Sequence, residues 1–253
     1  GRFLNFSNPN GLPYVWRMER LVCEADAVSV SNRFLQKKFK GVLLPHCRDT
    51  SVLDPQKFSP GKIKERIGLA GKKVVMFLGT PRPHKGIDDL LIALKKVNIP
   101  ELRLVIIGAE NQQEFLKGVD PSVIDRVVVL PKISFQNLPE FLSAADIVAI
   151  PQRQTSDSVG QMPAKLFDAM SMAKPIIATR VSDIPEVLED CGYLVDPSEP
   201  SQLADCIQYI LSHPGEAKAK GHAARERCKQ RYDMHNLEYG LHELVEYVSA
   251  KKG

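Results

Sequence analysis

From about residue 73 onward, short runs of aliphatic and β-branched residues alternate with longer stretches in which apolar positions recur every three or four. The short runs predict buried strands: VVMFLG (74–79), RLVIIG (103–108), RVVVLP (126–131), DIVAIP (146–151), PIIAT (175–179) and GYLVDP (192–197). The longer stretches predict amphipathic helices: GIDDLLIALKKV, NQQEFLKGV, NLPEFLSAA, PAKLFDAMSMA and a C-terminal set from about Gln202. Strands that are apolar throughout, separated by helices, are what a parallel sheet covered on both faces requires. The expected fold is therefore α/β, a Rossmann-like parallel sheet flanked by helices.

The first fifty residues carry a different rhythm. YVWRMERLVCEAD predicts a helix, AVSVS a strand, NRFLQKKF a helix and GVLLP a strand. One or two βα units cannot cover both faces of a sheet, so residues 1–50 read as the remnant and linker of an N-terminal domain whose beginning is missing. HCRDTSVLDPQKFSPG, rich in turn formers, suits an interdomain connection. The expected organisation is this remnant, a Rossmann-like domain over 51–232 and a C-terminal helix over 233–253.

In such sheets ligands sit beyond the carboxyl ends of the strands, and those loops hold the unusual residues. GTPRPHKG places Arg82 and Lys85 after the first strand, where two cations and a helix amino end suit a diphosphate, or where Pro simply stiffens a turn. PQRQTSDSVGQMPAKLFDAM offers a second anion seat. Pro163 suits the first helical position, and the amides near Gly160 and Gln161 would face the crevice. On the helix that follows, Leu166, Met170 and Ala173 share one side, with Lys165, Asp168 and Met172 away from it. The two charges then form either a surface ion pair or a cleft pair, Lys165 for phosphate and Asp168 for a vicinal diol. In PKISFQNLPEFLSAAD, Asn137 and Glu140 have capping-box spacing, and Pro131 to Phe135 could offer backbone groups to a nucleobase or be purely structural. Asp146 is expected to end a helix or cap a turn.

Composition narrows the alternatives. The 253 residues are 43 % hydrophobic and 25 % charged, as expected of a soluble chain of one or two domains. No apolar run approaches the roughly 20 residues of a membrane span, and the start does not resemble a signal peptide. The net charge of +4 is too small to argue for nucleic-acid binding. The basic stretch Arg225, Arg227, Lys229 and Arg231 reads as a solvated helix face, with anionic lipid as the sharper alternative. Five cysteines without CxxC spacing and six histidines without ligand spacing predict neither a disulfide framework nor a metal site, and suit a reducing cytoplasm. G-x-G-x-x-G, G-x-x-x-x-G-K-[ST] and G-x-S-x-G are all absent, which argues against a nicotinamide fingerprint, a P-loop and a hydrolase elbow.

Taken in order, FLGTPRPHKGIDDLLIAL, LRLVIIGAE, VVVLPKISFQNLPEFLSAADIVAIP, PAKLFDAMSMAKPIIATRVSDIPEVLED and GYLVDPSEPSQLADCIQYIL resemble the C-terminal half of glycosyltransferase family 4, retaining enzymes of the GT-B fold. CEADAVSVS and VLLPHCRDTSVLDPQKFSP are similar to the end of that family's N-terminal domain and its interdomain connection. The resemblance implies a nucleotide-sugar-binding domain and transfer of a hexose, most often from a UDP-sugar such as UDP-glucose, to a saccharide or lipid-linked acceptor with retention. It implies no metal, no cofactor beyond the donor, and a place in polysaccharide biosynthesis; with the charge and cysteine readings above, the expectation is a cytoplasmic protein without a nucleic-acid partner, for which any membrane contact would be peripheral, at the inner face.

By position, the resemblance makes Lys85 the lysine that holds the donor diphosphate. Arg82 reaches the same phosphates in place of the arginine that the family carries at Thr80, directly after Gly79. Together Arg82 and Lys85 would stabilise the leaving diphosphate, with Met162, Pro163, Ala164 and Lys165 forming the helix amino end beside it. Lys132 and Ile133 match the segment that reads the base through its backbone. Asp168 matches the second of the family's two motif glutamates, which binds the ribose. The first glutamate falls at Gly160, with Asp157, Ser158 or Gln161 as substitutes. A chain without the acceptor domain is expected to bind donor and to transfer poorly or not at all, with slow donor hydrolysis. The alternatives are a GT-B sugar-nucleotide epimerase and a non-catalytic nucleotide-sugar-binding module.

Overall fold

The computed structural model describes residues 12–156 and 158–252; Asp157, a predicted site residue, lies outside them. Six strands, β3 (Lys73–Leu78), β4 (Leu102–Ile107), β5 (Val127–Leu130), β6 (Ile147–Ile150), β7 (Ile176–Thr179) and β8 (Tyr193–Val195), form one sheet in the order β5-β4-β3-β6-β7-β8. All five pairings are parallel. The order reverses at β3, whose partners are β4 and β6. Loops leaving these strands diverge to opposite sides and open a crevice at the carboxyl edge.

Alternation along each strand divides the core. Val75, Phe77, Leu104, Ile106, Ile147 and Ile177 pack with α4 (Ile87–Lys96) and α9 (Pro200–Ser212). Met76, Leu78, Val105, Val148, Ile150 and Ile176 pack on the other face with α6 (Leu138–Ser143), α7 (Ala164–Ser171) and α10 (Pro214–Arg231). With both faces covered, β3 is buried from Val74 to Leu78, which explains its uninterrupted apolar sequence.

Ahead of this domain, α1 (Leu12–Leu21) and α2 (Arg33–Phe39) accompany a small parallel sheet of β1 (Ser29–Val30) and β2 (Val42–Leu43). The connection runs through α3 (Pro60–Arg66) and is stitched to the far end of the chain. Arg48 N donates to Tyr232 O at 2.8 Å, and Met234 N to Arg48 O at 3.1 Å. Then α11 (Met234–Lys252) returns to the N-terminal segment, where a Cβ on Gly240 would lie 2.5 Å from Leu44 Cδ2. Among the described residues no helix is long and apolar enough to cross a membrane.

Several local expectations are corrected. Asn137 sits at the amino end of α6 without a side-chain cap, because its own backbone is already helical at φ −91° and ψ −14°, and Glu140 forms a two-pronged pair with Arg66 at 2.8 and 2.9 Å instead of reaching back. Asp146 ties the sheet to α3, accepting from Val74 N and Lys64 Nζ at 2.7 Å each. Of the basic stretch expected as a solvated or lipid-facing helix face, Lys229 and Arg231 are exposed, whereas Arg225 and Arg227 hold the helix to the domain. Arg225 donates to Leu53 O at 2.8 Å and pairs with Asp54, while Arg227 donates to Val187 O at 2.7 Å and pairs with Glu189. The short α8 (Ile184–Leu188) was not predicted.

Candidate functional site

The site begins where β3 and β4 end. Gly79 and Gly108 have φ of +103° and +110°, and a Cβ on Gly108 would lie 3.0 Å from Gly79 C. Only glycine permits both that backbone and that approach, so the strand ends close together into a flat floor. The loop after β3 returns through Gly86, φ +69°, where a Cβ would meet Pro151 O at 1.8 Å. This approach locks it to the loop after β6, with Arg153 N donating to His84 O at 2.8 Å and the Arg153 guanidinium forking onto the buried Asp89 at 2.6 and 2.7 Å.

Above the floor, a cavity of about 420 Å³ opens between these loops and the first turn of α7. Pro163 occupies the N-cap, one position before that expected, and Ala164 begins the helix. The N-cap supplies no side chain to the first amides, which leaves the amino end of α7 an unneutralised positive pole beside the cavity.

Lys165 is not in a surface ion pair. Its Nζ donates to Leu78 O at 2.6 Å and lies 4.2 Å from the centre of the Phe77 ring. Burial, with Lys85 adding repulsion, drives the Lys165 ammonium down to about 7. A Cβ on Gly79 would lie 3.5 Å from Lys85 Nζ, which places that ammonium over the floor. The Lys85 ammonium is also lowered, by burial and then by Arg82. Two cations and a helix amino end thus converge without a carboxylate pair at either lysine among the described residues. An anion placed between them would relieve both repulsion and desolvation.

One turn along, Asp168 faces the same cavity but is ion-paired with Arg48, and burial raises its carboxyl while Arg48 opposes the rise. At the opposite end, Lys132, Ile133 and Leu138 form a partly apolar wall.

Of the predicted residues, Gly79, Thr80, Lys85, Lys132 and Ile133 line the cavity, as do Gln161, Met162, Pro163, Ala164, Lys165 and Asp168. Arg82 is exposed and outside the lining. Ser158 is fully buried and turned into its own loop, its Oγ accepting from Thr155 N at 2.8 Å and donating to Arg153 O at 2.5 Å. A Cβ on Gly160 would lie 3.4 Å from Leu35 and 3.6 Å from Phe34, so that position faces α2 rather than the cavity. Gly108 and Gln152 were missed, as were Leu138 and the strand-end residues Leu78 and Ile107. The first two follow strands directly and the strand-end rule could have found them; nothing local marks Leu138, or Arg48 behind Asp168.

Residues 72–213 match the family of glycosyl transferases group 1. The chain belongs to this family. It is 27 % identical over 244 residues to a GDP-mannose-dependent α-(1-6)-phosphatidylinositol monomannoside mannosyltransferase of Mycolicibacterium smegmatis, covering 90 % of this chain and 64 % of the relative. It is 28 % identical over 266 residues to a D-inositol 3-phosphate glycosyltransferase of Segniliparus rotundus, covering 93 % and 56 %. The chain therefore spans less than two thirds of these relatives. Among solved structures, HepE of Anabaena in complex with UDP superposes with a TM-score of 0.77 at 20 % identity, over 88 % of this chain and 64 % of that one. Sucrose-phosphate synthase of Thermosynechococcus elongatus gives 0.79 at 22 % identity, over 94 % and 62 %. The fold is thus that of the GT-B glycosyltransferases, with the parallel sheet and its flanking helices as expected.

Proposed function

We propose that the cavity holds a nucleoside-diphosphate hexose and that the protein to which this chain belongs transfers the hexose to a saccharide or lipid-linked acceptor with retention. The observation that carries this reading is the convergence of Lys85, Lys165 and the amino end of α7 on one face of the glycine floor. Charge develops on the departing diphosphate as the anomeric C–O bond breaks; the acceptor oxygen bonds to that carbon and its proton passes to the departing phosphate oxygen. Fixed cations and amides in a partly desolvated pocket meet that charge without reorganisation. Protein cations alone neutralise it in this reading, so no metal or cofactor takes part. The base lies toward Lys132, Ile133 and Leu138, and the ribose hydroxyls toward Asp168.

A uridine diphosphate sugar such as UDP-glucose is the proposed donor, consistent with the UDP held by HepE. GDP-mannose is the second reading, favoured by the mannosyltransferase similarity. For the chain by itself the proposal is donor binding with at most slow donor hydrolysis, since it spans less than two thirds of the relatives it matches. Calorimetric titration with UDP, UDP-glucose, UDP-N-acetylglucosamine, GDP and GDP-mannose, with EDTA present, tests the proposal. Selective binding of one base, weakened at least tenfold by Asp168→Ala, supports it; binding of no nucleotide refutes it. A strict requirement for added divalent cation refutes the metal-free part.

A further inference from the structure

Asp168 is held from behind. Arg48 does not line the cavity that Asp168 faces; it lines the neighbouring cleft with His46 and Cys47. From there its Nε donates to Asp168 Oδ1, its Nη1 to Cys47 O at 2.8 Å and its Nη2 to Ala164 O at 3.1 Å. Its backbone is pinned to Tyr232 and Met234 at the turn between α10 and α11. The guanidinium is therefore fixed between the connection, at Cys47, and the amino-terminal half of α7, at Ala164 and Asp168, while the backbone of the same residue is anchored to the C-terminal turn. Both side chains are largely removed from water, at 16 % exposure for Arg48 and 7 % for Asp168.

We infer that Arg48 is the positioning residue for ribose recognition: it fixes the Asp168 carboxylate by one oxygen and leaves Oδ2 to accept from a ribose hydroxyl. The inference rests on the reading of Asp168 as the ribose acceptor. A carboxylate buried on a helix accepts most strongly from a diol while ionised and held in one rotamer. Burial alone favours the protonated form, and the groups facing Asp168 that oppose this are Arg48 and, more weakly, His46. His46 is itself lowered by burial, so near neutral pH the charge rests on Arg48. Because Arg48 belongs to the connection, sugar recognition in the nucleotide domain depends on where that connection sits.

The experiment compares affinities for UDP and 2′-deoxy-UDP, with GDP and 2′-deoxy-GDP in parallel, in the unaltered chain, Asp168→Asn, Arg48→Met and the double variant. A hydroxyl bonded to a carboxylate is worth about tenfold or more, so the unaltered chain prefers the ribonucleotide by about that factor, and Asp168→Asn reduces the preference to about twofold. Arg48→Met gives a loss in the same direction at neutral pH, with the preference recovering as pH rises, and the preference depends more on pH than it does in the unaltered chain. Should Arg48→Met fail to fold because it strands a buried carboxylate, the double variant removes that charge. Its preference matches that of Asp168→Asn if Arg48 acts only through Asp168. An unaltered preference in Arg48→Met, or a double variant that differs from Asp168→Asn, overturns the role of Arg48. An unaltered preference in Asp168→Asn overturns the ribose reading itself, and shows this before Arg48 is touched.

Discussion

Donor binding should draw a proton from solvent, and Lys165 is the group that takes it. With its ammonium held at about 7, this side chain carries roughly 0.1 proton at pH 8 in the free protein and roughly 0.9 at pH 6. A diphosphate ester set against Lys165 and Lys85 restores the ordinary lysine range. Uptake at Lys165 is then about 0.9 proton at pH 8, about 0.5 at pH 7 and about 0.1 at pH 6, and affinity falls by up to about tenfold per pH unit above 7. The folded value lies below the unfolded one, so the unfolded chain binds the extra proton between about 7 and 10.5. Stability of the free protein therefore rises with pH across that window, and the cost of holding the ammonium is fully present below it. Lys165→Met removes that cost. After allowing for the lost contacts to Leu78 O and the Phe77 ring and for solvent at the cavity mouth, it should stabilise the free protein by about 1–2 kcal/mol at pH 6. It should have little effect at pH 8. Calorimetry with UDP-glucose at pH 8, in two buffers of different ionisation enthalpy, counts the protons. Lys85 is lowered in the same direction and contributes to both proteins, so the difference between the unaltered chain and Lys165→Met isolates Lys165. Tight binding with equal uptake in the two proteins would refute the reasoning.

Three further outcomes follow from the loops that frame the cavity. Gly86→Ala places a Cβ against Pro151 O at a positive φ; it should cost about 2–4 kcal/mol in a denaturant titration and weaken nucleotide binding through the displaced loop. Arg153→Met leaves Asp89 buried without its fork. It should lower stability by about 2–3 kcal/mol, with faster amide exchange over the loop after β6 in hydrogen-exchange mass spectrometry. Gly160→Glu directs a carboxylate at Leu35 and Phe34, so it should lose about 1–2 kcal/mol in thermal unfolding while leaving donor affinity within about twofold.

What the sequence made legible and what it hid have separate physical causes. The strands could be read because a parallel sheet covered on both faces leaves β3 and β6 no polar position to interrupt them. The charges on α7 were legible as a choice between a surface pair and a cleft, because a helix buried from Leu166 to Ser171 can tolerate Lys165 only at its open amino end. The resolution was not legible, since both partners come from afar: Leu78 O for Lys165, and Arg48, 120 residues away, for Asp168. The capping box at Asn137 had the right spacing, yet Arg66 on another helix held Glu140. The same holds for Arg225 and Arg227, whose carbonyl partners belong to segments that helix periodicity does not register.

The most direct measurement is a crystal structure of the chain with UDP-glucose, and with GDP-mannose should that bind more tightly. The account predicts a diphosphate bridging Lys85 Nζ, Lys165 Nζ and the first amides of α7, with the ribose hydroxyls against Asp168 and the base against Ile133 and Leu138. A nucleotide bound with its diphosphate away from both lysines, or bound outside the crevice between β3 and β6, would contradict it.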